Sequence, residues 1–136
     1  MKTFAIALLA LGACALAPLH AFADDAIDCN SNSLSQADQD DCAGRDYKKS
    51  DAALNAIYKT MMSKYDVANG ALLKTSEKTW LAYRDAQCDY ETNGSVGGTM
   101  NPMLVTICKT RMADERVKLL NAQMKCEDGD LSCNKP

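Results

Sequence analysis

Six cysteines, Cys29, Cys42, Cys88, Cys108, Cys126 and Cys133, follow an apolar amino-terminal stretch that holds the seventh, Cys14. An even set of thiols downstream of an export signal reads as a disulfide framework, because such bonds persist in oxidising compartments and are rare in a reducing cytosol. Three cross-links at about 2 to 4 kcal/mol each rival the entire net stability of a small domain, so the pairing of these residues limits the fold more than any other feature.

The leader has the parts of a secretory signal. Lys2 supplies the positive n-region, Phe4 to Ala17 the apolar run, Pro18 a break, and Ala21-Phe22-Ala23 a small-x-small cleavage site ahead of Asp24-Asp25. Residues 1–23 are therefore expected to be a signal peptide and 24–136 the exported domain, periplasmic or secreted. The apolar run is about 14 residues, short of the roughly 20 that span a bilayer as a helix, so no membrane span is expected. Leu11-Gly12-Ala13-Cys14 keeps a second reading open, a lipobox that would place a lipid anchor on Cys14.

Removing 23 of the 136 residues leaves about 113, the length of one small domain. Fifteen basic and eighteen acidic side chains give the whole chain −3, and loss of Lys2 with the leader makes this −4. Such mild acidity favours a basic protein partner and argues against nucleic acid. The single histidine, His20, lies in the leader, so the exported chain has no imidazole for a Ser-His-Asp or Cys-His device and none to ligate zinc. With its thiols paired it also lacks a thiolate nucleophile; catalytic residue, metal and cofactor are all expected to be absent. The carboxylates Glu77 and Asp85, eight residues apart on one helix, lie about 80° from each other around the axis and do not converge.

Helical periodicity dominates the rest. Asp24 to Ser33 is a polar lead-in that carries Cys29, and Ser35-Gln36-Ala37-Asp38 has the shape of a capping box that starts a helix. A weak point is expected near Gly44. Leu54, Ile57, Tyr58, Met61, Met62 and Tyr65 then form one apolar stripe opposite Lys48, Lys49, Asp51, Lys59 and Lys64. Asn69-Gly70 is expected to end or bend this helix, and a second runs from about Ala71 to Thr92 with Leu72, Leu73, Trp80, Leu81, Tyr83 and Cys88 turned inward. Gly94 to Met100 is too rich in glycine for regular structure and reads as an exposed loop. Asn101 as N-cap and Pro102 at the first helical position open a third helix to about Lys125, presenting Met103, Leu104, Ile107, Cys108, Met112, Leu119, Leu120 and Met124. The fold class expected is all-α: a small, disulfide-stapled, up-down bundle of about three helices with a glycine-rich loop between the second and third.

Six thiols allow fifteen pairings. Antiparallel packing of the second and third helices could bring Cys88 and Cys108 within bonding reach, Cys126 and Cys133 can close a local loop around Gly129, and Cys29 would then meet Cys42.

The run Trp80-Leu81-Ala82-Tyr83-Arg84-Asp85-Ala86-Gln87-Cys88, followed by Gly97-Gly98-Thr99-Met100-Asn101-Pro102-Met103 and then Cys108 and Arg116, resembles the LprI-like lysozyme inhibitor family of secreted bacterial proteins. Upstream, Cys29, Cys42-Ala43, Tyr47, Asp51, Leu54-Asn55 and Tyr58 match its first-helix pattern, so the resemblance covers about residues 29–120 and leaves 121–136 as an extension with its own staple. Glu77, Asp40 and Ala113 stand where the family usually has Gln, Asn and Thr. The resemblance implies a bacterial envelope protein that binds and inhibits lysozyme-type cell-wall hydrolases by occluding their cleft. The alternative is a non-inhibitory periplasmic binding, immunity or envelope-stress module.

A cleft-blocking element has to be narrow and stiff, and the candidate for it is Gly97, Gly98, Thr99, Met100 and Asn101, held between two helices; the other reading of the same residues is a plain connector that needs glycine for its turns. Trp80 and Tyr83 share a face with leucines and read as core, whereas Arg84 and Asp85, with Arg116, suit a buried polar network between helices. The methionines Met61, Met62, Met100, Met103, Met112 and Met124 suit irregular core gaps.

Overall fold

The computed structural model describes residues 27–127 and 129–134. The signal peptide, its cleavage after Ala23 and the lipid-anchor alternative at Cys14 lie outside them.

Helix α1 is Gln36–Met62, α2 is Val67–Glu91 and α3 is Asn101–Gln123. The first begins on the expected capping box, with Ser35 Oγ accepting from the Asp38 amide and Asp38 Oδ2 accepting from the Ser35 amide. It runs through Gly44 without interruption. One glycine in 27 residues costs only about 1 kcal/mol of propensity, too little to break a helix whose apolar stripe is packed.

The first turn of the bundle departs from expectation. Asn69-Gly70 lies inside α2, and the chain reverses instead at 63–66, where the Asp66 carboxylate accepts from the Asn69 amide at 2.8 Å and starts the new helix. Tyr65, expected in the first helix's stripe, belongs to this connector. Gly70 brings the helices close: a Cβ there would stand 3.3 Å from Met62 Cε, so the end of the Met62 side chain would have to give by a few tenths of an ångström where α2 begins its return past the end of α1.

The helices run up, down and up. Gln36 reaches Met103 at one end while Met61 and Leu120 share a core cluster further along, so α1 and α3 are parallel, and these two pack most closely. Cys88 meets Cys108 and Glu77 meets Arg116, which sets α2 antiparallel to α3; the α1–α2 seam is the most open of the three. Buried positions recur narrowly, at Ala43, Ser50, Leu54 and Met61 on α1 and at Gly70, Leu73, Glu77, Arg84 and Cys88 on α2. That seam is thinner than the stripe anticipated. Leu72, Leu81 and Tyr83 on α2, and Ile107 and Leu119 on α3, stay substantially exposed because three helices leave each only a narrow inward face.

Leu54, Met61, Leu73, Ala113 and Leu120 form the main core, and Cys88, Cys108 and Met112 a second one, with Trp80 packed against both. Ala113 is 0% exposed, so α1 and α3 meet over a methyl group. Ala113→Leu is expected to destabilise the bundle by about 1 to 3 kcal/mol through overpacking, visible as a lower urea midpoint at unchanged slope. Disulfides join Cys29 to Cys42, Cys88 to Cys108 and Cys126 to Cys133, with Cα separations of 5.8, 5.6 and 6.1 Å. The first ties the lead-in to α1, where Arg45 Nη2 also donates to the Ile27 carbonyl.

Candidate functional site

The α2–α3 connection is bonded to itself at nearly every step. Thr92 ends α2 by donating both its amide and its hydroxyl to the Cys88 carbonyl. A 3-10 turn, Asn93–Ser95, follows, and the Ser95 amide and hydroxyl both return to the Thr92 carbonyl, at 2.9 and 2.7 Å. The Gly98 amide donates to the Ser95 carbonyl and the Asn101 amide to the Gly98 carbonyl. Gly97 sits at φ +85°, a left-handed conformation that side chains disfavour, and a Cβ on Gly98 would lie only 3.1 Å from the Ser95 carbonyl oxygen. Both glycines are therefore required by the turn.

Asn101 does not cap α3 through its side chain; Met100 occupies that position. Its Nδ2 instead reaches back to Ser95 Oγ at 2.9 Å and toward the Thr92 carbonyl, a lock across the mouth of the loop. Beneath lies the Cys88–Cys108 bond, whose Cys88 half is fully buried. What the loop presents outward is apolar: Val96 is 70% and Met100 46% exposed, beside exposed Gly97, Gly98 and Thr99. Met100 is thus a surface residue rather than core filler. A shallow groove of about 410 Å³ runs beside the loop past Glu91, Leu104, Ile107 and Arg111.

Carboxylates gather at this end of the bundle. Asp38, Asp40 and Asp41 stand in the first turns of α1, and Asp85, Asp89 and Glu91 near the end of α2, facing Arg45, Lys109 and Arg111. Arg111 bonds Glu91 at 2.7 Å, and hydrogen bonds from Gln87 and Arg111 hold the Glu91 carboxyl below its ordinary range. Partial burial pushes Asp85 up, but Arg84 at 2.9 Å and Lys109 at 3.2 Å outweigh it and leave its pKa lowered. With their pKa values lowered, Asp85 and Glu91 stay ionised at neutral pH.

Trp80, Arg84 and Arg116 come together inside the bundle. Trp80 has the Arg84 guanidinium 5.6 Å from its ring centre and that of Arg116 at 5.7 Å, and Arg84 also lies 5.9 Å from the Tyr47 ring. Arg116 Nε donates to Glu77 Oε1 at 2.8 Å, its Nη2 bonds the same carboxylate and Ser76 Oγ, and both side chains of the pair are close to buried. Tyr83 does not join them; its place on the α2 helix turns it outward, 54% exposed. Asp85 is half-exposed, so Arg84 forms the buried part of that pair alone, with Nη1 unpartnered among the described residues. No local motif marks Glu77 as Arg116's partner. Its register, seven residues after Gly70 and seven before Arg84 on the buried seam, is the sign that it points inward.

Among the described residues Cys126, Asp130 and Cys133 form one cluster of metal-ligating types, but both sulfurs are consumed in a disulfide. No helix among those residues is long and apolar enough to cross a membrane.

The family model for lysozyme inhibitor LprI matches residues 28–120, which hold the Cys29–Cys42 and Cys88–Cys108 disulfides, the loop and the Trp80–Arg84–Arg116 layer. The chain belongs to the lysozyme inhibitor LprI family. An uncharacterized protein of Rhizobium meliloti (strain 1021) is 32% identical, over 86% of this chain and 92% of its own length. No solved structure matches. At the level of the LprI family the function is inhibition of lysozyme, which implies a protein partner and a non-catalytic role. The third disulfide, Cys126–Cys133, lies beyond the LprI match.

Proposed function

We propose that this protein is exported and inhibits basic, lysozyme-type cell-wall hydrolases by seating the loop Gly97–Asn101 in or over the catalytic cleft. The observation that carries this reading is the loop's construction. Backbone bonds, the Asn101 lock and the disulfide beneath it fix an exposed apolar tip, so little conformational entropy remains to be lost on binding. The acids of the surrounding helix ends support it, because glycoside hydrolases carry paired carboxylates in a cleft on an otherwise often basic surface, and an acidic rim steers such a partner in. Val96 and Met100 supply the apolar contact at the centre, with the charged rim setting the association rate.

Val96→Asp combined with Met100→Asp is expected to weaken inhibition of a basic lysozyme at least tenfold while far-UV helicity and urea midpoint stay as in the parent. Unchanged inhibition would place the site elsewhere. Raising the salt concentration is expected to slow association more than it speeds dissociation.

A further inference from the structure

The seam between α1 and α2, on the flank of the bundle away from the loop, holds an open groove of about 320 Å³. Its apolar lining is Leu54 and Tyr58 from α1 and Leu81 from α2, the last 40% exposed, an arrangement left by the loose packing of these two helices. Lys74 and Lys78, one turn apart on α2, stand on its rim, both exposed, and neither has a carboxylate within ion-pair distance among the described residues. Of the two acids lining the groove, Glu77 is paired with Arg116 on the far side, and Asp51 accepts from the neutral Asn55 Nδ2 at 2.8 Å, so the two lysines leave the groove with a net positive charge.

We propose that this groove binds a free single-chain anionic amphiphile of the fatty-acid type, its carboxylate between Lys74 and Lys78 and its alkyl chain along Leu54, Tyr58 and Leu81. The volume is at the small end of ligand sites and suits one alkyl chain. Two unpaired ammonium groups beside an apolar trough match a ligand with one charged end and one oily end; a cationic or neutral head would leave the lysines unanswered. The site is independent of the loop and of hydrolase inhibition.

Titration calorimetry of the folded protein with sodium dodecanoate, below the concentration at which it forms micelles, tests this. One molecule is expected to bind per chain with helicity retained, and shortening to decanoate is expected to weaken binding about 15-fold, as loss of two buried methylenes requires. Lys74→Gln with Lys78→Gln is expected to raise the Kd about tenfold, and Leu81→Asp to abolish the heat signal while the urea midpoint holds. Equal binding of dodecyltrimethylammonium or dodecyl maltoside would overturn the proposal, as would full retention in the double lysine variant. No binding of dodecanoate, or co-sedimentation with anionic phosphatidylglycerol vesicles in place of it, would overturn it as well.

Discussion

Cys88→Ala with Cys108→Ala is expected to lower stability by about 3 kcal/mol and the melting temperature by more than about 10 °C. The bond closes 20 residues of sequence separation, which sets the chain-entropy contribution, and its Cys88 half is 0% exposed in the smaller core, so the loss also leaves space beside Met112. Inhibition should fall with it even where the variant remains folded, because Thr92 and Asn101 would no longer sit over a fixed base. Cys126→Ala with Cys133→Ala makes the control: that staple lies beyond the matched region, and its removal should cost stability near the tail and leave inhibition unchanged. Equal loss of inhibition in both double variants would show that general stability, not loop support, is being measured.

Glu77→Ala is expected to destabilise the protein by about 3 to 5 kcal/mol, because it strands the Arg116 guanidinium in a nearly dry site against Trp80. Replacing both partners, Glu77→Leu with Arg116→Met, should cost much less, since neither charge then has to be desolvated. A urea series over Glu77→Leu, Arg116→Met and their double gives the coupling directly. Additive losses would contradict the view that the two side chains act as one unit. The pair bridges α2 and α3 beside the wider core, so its role is to hold α2 at a set height, and with it the point where the loop leaves the helix.

Much of this architecture can be read from residue patterns. Three helices follow from periodicity and caps, and Cys88 near the end of one helix with Cys108 near the start of the next is a spacing that antiparallel packing turns into a bond. The turn at 63–66 was hidden because Asn69-Gly70 carries the stronger local stop signal, while the deciding groups are the Asp66 cap and the Met62–Gly70 contact, which is tertiary. Exposed Leu72, Tyr83, Ile107 and Leu119 show a similar limit: hydrophobicity marks a broad face, and only the number and angle of partners decide how much of it is covered. At the loop, the glycines signal a turn, but Asn101's reach to Ser95 and Thr92 depends on where α3 starts relative to α2. Local propensity carries no information about that placement.

The most direct measurement is the clearing of bacterial cell-wall suspensions by purified lysozymes of the chicken and phage types, with the mature protein added at micromolar excess. The loop account predicts that clearing by at least one basic lysozyme slows in proportion to the protein added, and that Val96→Asp with Met100→Asp restores the rate. Undiminished clearing by every lysozyme tried, from a preparation with its disulfides formed, would contradict it.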